Sequence, residues 1–147
     1  MKIFINGLSC SGKSTLSVKL AEQLNYKIIH TDDYYIDGYE GNWDEPQAFQ
    51  INKLIEDINS QNDLVIEGIM SFYCVTLISN KEKIKLIYID QTIEKCFERR
   101  SKRKQALCCE HEYFQTIVIP GYQKYCVNLF NELKEIVEYE IIDMKSD

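Results

Sequence analysis

The chain has 147 residues, of which 45% are apolar and 27% charged, and its formal net charge is −6. That length suits one domain around one core, spanning 1–147. The acid excess argues against a general nucleic-acid binder, which needs surplus Lys and Arg against phosphate, and no apolar run is long enough to cross a bilayer.

In chain order, KIFIN (2–6) is a short apolar run stopped by Gly7, as expected of a buried strand. Leu16, Leu20, Ala21 and Leu24 then recur at helical spacing. KIIHT (27–31) predicts a second strand, with Asp32 and Asp33 at its end, and a polar, aromatic loop runs from 32 to 46. Ile51, Leu54, Ile55 and Ile58 mark one face of an amphipathic helix. DLVIEG (63–68) predicts a third strand, followed by a turn or short helix after Ser71. KIKLIYID (83–90) predicts a fourth, and Thr92 can cap a helix running to about 105. A helical pattern resumes at 112, with Tyr122, Tyr125, Cys126, Leu129, Leu133 and Ile136 on one side, and Pro120-Gly121 should bend or restart it. EYEIID (138–143) predicts a fifth strand. Strands alternating with helices predict an α/β fold: a parallel sheet with helices on both faces, joined by right-handed crossovers. Ligands then bind beyond the carboxyl ends of the strands, at loops 7–13, 31–46, 67–72 and 90–110.

The first of these loops fits G-x-x-x-x-G-K-[ST], the P-loop, through Gly7, Gly12, Lys13 and Ser14. Its glycines let backbone N–H groups converge on phosphate, and the helix it opens favours anions. The nucleotide-binding set is therefore Gly7, Ser9, Cys10, Ser11, Gly12, Lys13, Ser14 and Thr15. Lys13 reaches the outer phosphates, and the Ser14 hydroxyl suits magnesium. A guanine-reading N-K-x-D is missing, since residues 80–83 read NKEK. Asp32 stands where a carboxylate can take a hydroxyl proton during phosphoryl transfer, or is a turn-forming residue. Glu67 can hold magnesium or its waters, and Asp32 is a further candidate metal ligand. Residues 95–104, KCFERRSKRK, form a basic cluster. Arg99 and Arg103 share a helix face, Arg100 neighbours Arg103, and guanidinium forks match phosphate oxygens. A lid over about 95–111 would neutralise charge and exclude water. Lys102 and Lys104 fit a solvated face, with Lys102 pairing to Glu98.

Six cysteines occur at irregular spacings without a C-x-x-C pair, and read as reduced thiols of a cytoplasmic protein. Cys108, Cys109 and His111 lie close together but lack a fourth ligand at a zinc spacing. The N-terminus has no signal-peptide pattern.

These segments together resemble the uridine kinase and nicotinamide riboside kinase branch of the P-loop kinases. GLSCSGKST is the P-loop, HTDDYY (30–35) is similar to the family's Q-D-S-F-Y, and NWDEPQAF (42–49) to its N-F-D-H-P-D-A-F. VIEGIMSFY, IDQTIEKCFERRSKR and VIPGYQKY resemble its E-G-I-L strand end, its Arg-rich helix and the helix that follows. The resemblance implies a P-loop NTPase three-layer sandwich with a five-stranded parallel sheet. It also implies transfer from ATP, with Mg2+, to the 5′-hydroxyl of a uridine- or cytidine-like ribonucleoside. Nicotinamide riboside or another small alcohol is the nearest alternative. By the same resemblance Asp32 activates the hydroxyl, Asp44 holds the ribose diol and Tyr35 lines the pocket. Arg100 touches substrate, Arg103 clamps the triphosphate, and Glu67 with Ser14 places magnesium. Two departures stand out. The family's base-reading P-x-Y-D-x-x-x-H hairpin is missing between Phe49 and the third strand, and the lid passes after Lys104 into the less basic QALCCEH. The shortened base-reading region also fits an ATP-binding regulatory module without transfer activity.

Overall fold

The computed structural model describes residues 1–103 and 110–146. Five strands form one parallel sheet in the order β2-β3-β1-β4-β5: β1 (Lys2–Gly7), β2 (Lys27–His30), β3 (Leu64–Glu67), β4 (Ile84–Asp90) and β5 (Glu138–Asp143). Central strands of such a sheet are covered on both faces and need apolar residues on both. In β1, Phe4 points into one core while Ile3 and Ile5 point into the other, and all three are buried.

Helix α1 (Lys13–Leu24) covers the Ile3–Ile5 face through Leu16, Leu20 and Ala21. Leu24, predicted on that stripe, is 41% exposed instead, because Asn25 ends the helix there in a left-handed conformation. The other face carries α2 (Ile51–Asn59), α3 (Ser71–Leu77) and the last helix, which bring Leu54, Ile58, Phe72, Val75, Phe130 and Leu133 against Phe4 and Leu86. Helix α4 (Ile93–Arg103) starts as predicted: the Lys95 N–H donates to Thr92 Oγ1 at 3.2 Å. The rest of the expected lid, including Lys104, Cys108 and Cys109, lies outside the described residues.

Three local expectations are corrected. Strand β2 stops at His30, and Asp32 and Asp33 sit in a turn of 3-10 helix, Thr31–Tyr34, rather than at a strand end. Pro120 neither breaks nor restarts the last helix. The run continues from 110 to 133, with turns of π-helix at Phe114–Val118 and Gln123–Val127. Wider turns relieve the clash between a proline ring and the preceding turn, and they absorb the missing donor. Ile136 falls beyond this helix and is 66% exposed.

Candidate active site

Parallel register brings the carboxyl ends of β1, β2, β3 and β4 to one side of the sheet, so Gly7, His30, Glu67 and Asp90 stand together there. Gly7 ends β1 where no side chain fits: a Cβ would lie 2.6 Å from Ser11 Oγ and 2.9 Å from the Ile89 carbonyl oxygen. The loop then turns through Cys10 (φ 65°) and Gly12 (φ 107°), both left-handed, before Lys13 opens α1. Ser11 is fully buried with its hydroxyl turned under the loop, so only its backbone remains available to a ligand. Asn6, which no motif signals, accepts from the Gly7 N–H at 2.7 Å and donates to the Ile69 carbonyl at 3.1 Å. It thereby ties the P-loop to the loop after β3.

Asp32, Tyr35, Asp44, Lys13, Arg100 and Arg103 line one cavity of about 500 Å³, within the usual range for small-molecule sites. Asp32 opens on it, yet crowding by protein raises its carboxyl above the ordinary range. Lys13 opposes that shift, Glu67 and Asp33 add to it, and His30 opposes it. Ser14 Oγ lies 3.5 Å from Glu67 Oε1, and His30 Nδ1 lies 2.5 Å from the same oxygen. His30 carried no signal in the sequence; only the β2–β3 pairing sets it opposite Glu67.

Aromatic rings form the opposite wall. Tyr35 stacks on Phe49 at 4.2 Å between centroids and tilts against Trp43 at 5.3 Å. Burial first, then the charges of Asp32 and Asp44, push the Tyr35 phenol well up, so it stays neutral and can donate. Asp44 is pressed against the last helix at Gly121, where a Cβ would come within 2.9 Å of Asp44 Cβ. Gly121, read from sequence only as a bend, is required by this contact. Tyr122 pairs with Tyr88 hydroxyl to hydroxyl, and burial with that bond keeps its phenol protonated.

Helix α4 closes the phosphate end. Arg100 Nη1 donates to Ser9 Oγ at 2.8 Å, and its guanidinium lies 5.9 Å from the Tyr113 ring centroid and 6.0 Å from that of Phe114. Arg99 Nη1 reaches the Cys10 carbonyl at 3.5 Å. Lys102 pairs with Glu98 at 3.1 Å, as the solvated-face expectation had it. A second cavity of about 320 Å³ lies where Gly12 and Thr15 face Arg99 and Arg103, and Cys10 and Arg103 border both cavities. Cys10, Cys74, Cys96 and Cys126 are free thiols. Burial pushes Cys74 up to about 12 and Cys96 to about 11, so neither is reactive. Among the described residues, no three His, Cys, Asp or Glu side chains form a metal cage.

A family model described as an AAA domain matches residues 3–113. The chain belongs to this AAA-domain family. Its sheet order and P-loop give the AAA domain the P-loop NTPase α/β fold. Several solved structures share that fold. A gluconokinase from Sinorhizobium meliloti 1021 aligns with TM-score 0.63 and 14% identity, over 97% of this chain and 81% of that one. A shikimate kinase from Acinetobacter baumannii in complex with shikimate aligns with 0.63 and 16%, over 98% and 83%. A deoxyadenosine kinase from M. mycoides with bound dCTP aligns with 0.59 and 16%, over 97% and 90%. No curated protein matches this AAA domain. Among the described residues, no helix is long and apolar enough to cross a membrane.

Proposed function

We propose that the chain is an ATP-dependent small-molecule kinase that phosphorylates the 5′-hydroxyl of an uncharged or cationic ribonucleoside. The observation that carries this reading is that Lys13, Asp32, Asp44 and Arg100 line a single cavity, so donor and acceptor can meet in it. The acceptor oxygen forms a bond to the γ-phosphorus of ATP, the bond from that phosphorus to the β–γ bridging oxygen breaks, and ADP leaves. Asp32 takes the hydroxyl proton, late in the transfer. Lys13, Arg103 and the P-loop N–H groups, from Gly7 to Thr15, hold the phosphates. Arg100 faces the transferring group, Asp44 accepts from the 2′- and 3′-hydroxyls, and Tyr35 borders the sugar.

Ser14, Glu67 and Asp32 would hold magnesium. Glu67 fits: it is 4% exposed, and its Oε2 is buried without a hydrogen-bond partner among the described residues, an arrangement that costs free energy unless a cation or its water completes it. Bound there, magnesium would neutralise phosphate charge, keeping most of its waters.

Charge argues for the acceptor class. Between Lys27 and Lys53 the sequence holds Asp32, Asp33, Asp37, Glu40, Asp44 and Glu45, and no Lys or Arg. The cavity's cations come from the P-loop and α4, which face phosphate. A carboxylated acceptor, such as shikimate or gluconate, would meet like charge at Asp32 and Asp44. Trp43 is the only tryptophan and borders the cavity, so its fluorescence is a direct binding signal.

The test is coupled ADP release with Mg-ATP, run beside Trp43 fluorescence, over uridine, cytidine, nicotinamide riboside, their 2′-deoxy forms, gluconate and shikimate. Stimulation and quenching by a ribonucleoside, weakened in its deoxy form, are expected. ATP binding with no stimulated release by any of them would favour the regulatory module instead. A pH prediction follows from the same site. Transfer needs ionised Asp32, and Asp33 disfavours that form. Asp33→Asn is expected to move the acid limb of kcat/KM to lower pH, and an unmoved or raised limb would contradict the base assignment.

A further inference from the structure

We propose that His30 is a positioning residue that fixes the Glu67 carboxylate for the magnesium site; this rests on the proposed role of Glu67. The β2–β3 register sets His30 directly opposite Glu67, and His30 Nδ1 lies 2.5 Å from Glu67 Oε1. An ionised carboxylate only accepts, so Nδ1 carries the hydrogen and donates. Ser14 Oγ lies 3.5 Å from the same Oε1, while Oε2 is buried and without a partner among the described residues.

The two oxygens of Glu67 therefore differ. Oε1 is engaged by His30 and lies nearest Ser14 Oγ, and Oε2 is buried without a partner among the described residues. A carboxylate this buried needs a hydrogen-bond donor to be held in one rotamer. The ring supplies that donor from a strand end, where backbone pairing holds it in place. Its side chain is 33% exposed against 5% for Glu67, so the imidazole stands on the wet side of the carboxylate and shields it. Partners of this kind commonly change metal affinity by ten- to a hundredfold, roughly, when removed.

The experiment follows Mn2+ binding by electron paramagnetic resonance, with ADP present, in wild type and in His30→Ala, His30→Asn and Glu67→Gln. Thermal melts run alongside to exclude misfolded variants. The Asn amide nitrogen sits close to where Nδ1 stands and donates as Nδ1 does. His30→Ala is expected to weaken Mn2+ binding by about tenfold or more, and His30→Asn to restore it to within about threefold. ADP binding without metal should be the same in all of them. Unchanged Mn2+ affinity in His30→Ala, with Glu67→Gln impaired, overturns the role of His30 alone. Equal loss in His30→Ala and His30→Asn also overturns it, since a donor at that place would then not suffice. Unchanged affinity in Glu67→Gln overturns the magnesium assignment itself, and the inference with it.

Discussion

Asp32→Asn is expected to lower kcat by about a thousandfold while leaving metal-free ATP affinity within about twofold of wild type. The amide keeps the shape of the carboxylate but cannot take the hydroxyl proton. Binding of the triphosphate rests on the P-loop, Lys13 and the α4 arginines, which the substitution does not touch. Single-turnover transfer and nucleotide titration separate the two effects, and unchanged turnover would remove Asp32 from the chemistry.

The same variant carries a stability signature with a definite sign. The fold raises the Asp32 pKa, chiefly through burial, so the fold disfavours the ionised form. Its stabilising contribution is fully present below the ordinary aspartate pKa and is lost as pH rises through the folded value. At neutral pH ionised Asp32 is thus a net cost, which Asn removes. The melting temperature of Asp32→Asn should equal or exceed wild type at pH 7, and the difference should shrink in acid. A variant that is less stable at neutral pH and equally stable in acid would reverse the sign and contradict the electrostatics described here.

Asp44→Ala is expected to lower kcat/KM for a ribonucleoside by about a hundredfold, since it removes charge-assisted hydrogen bonds to both diol hydroxyls. It should do so with little change in ATP binding. Alanine retains the Cβ against which Gly121 packs, so the wall between the 42–49 loop and the last helix stays closed. The 2′-deoxy acceptor, which lacks one of the two bonds already, should lose less on the same substitution. Equal losses for both acceptors, or an equal loss of ATP affinity, would show that Asp44 supports the wall rather than the diol.

The elements that were legible in the sequence are those set by local rules. A P-loop declares itself because glycine at left-handed positions, a lysine and a hydroxyl must stand at fixed spacing on a strand–helix junction. The central strands β1, β3 and β4 are visible as β-rich apolar runs because a strand covered on both faces admits little else, whereas the edge strand β5 is exposed along most of its length. Thr92 is legible as a cap because capping involves neighbours three residues apart. Errors arose where a longer-range contact overrode the local signal. Pro120 could restart the helix, but the helical run is unbroken from 110 to 133, with Phe114, Val118 and Cys126 packed into the core and a turn of π-helix on either side of the proline. Asp32 looks like a strand end, yet Thr31 is buried against Gly68, and the chain turns into the cavity one residue earlier.

What the sequence determined by itself is therefore the class of fold, the phosphate-binding loop and the set of loops that border the ligand. What only the tertiary structure decided is which side chains from those loops meet. His30 faces Glu67 because β2 pairs with β3 and not with β1. Asn6 binds the Ile69 carbonyl, and Gly121 is needed against Asp44, because segments more than sixty residues apart come together there. Backbone pairing between strands uses the same N–H and C=O groups whatever the side chains are, so strand order and register are set by the packing of both sheet faces at once, and no local stretch of sequence carries them.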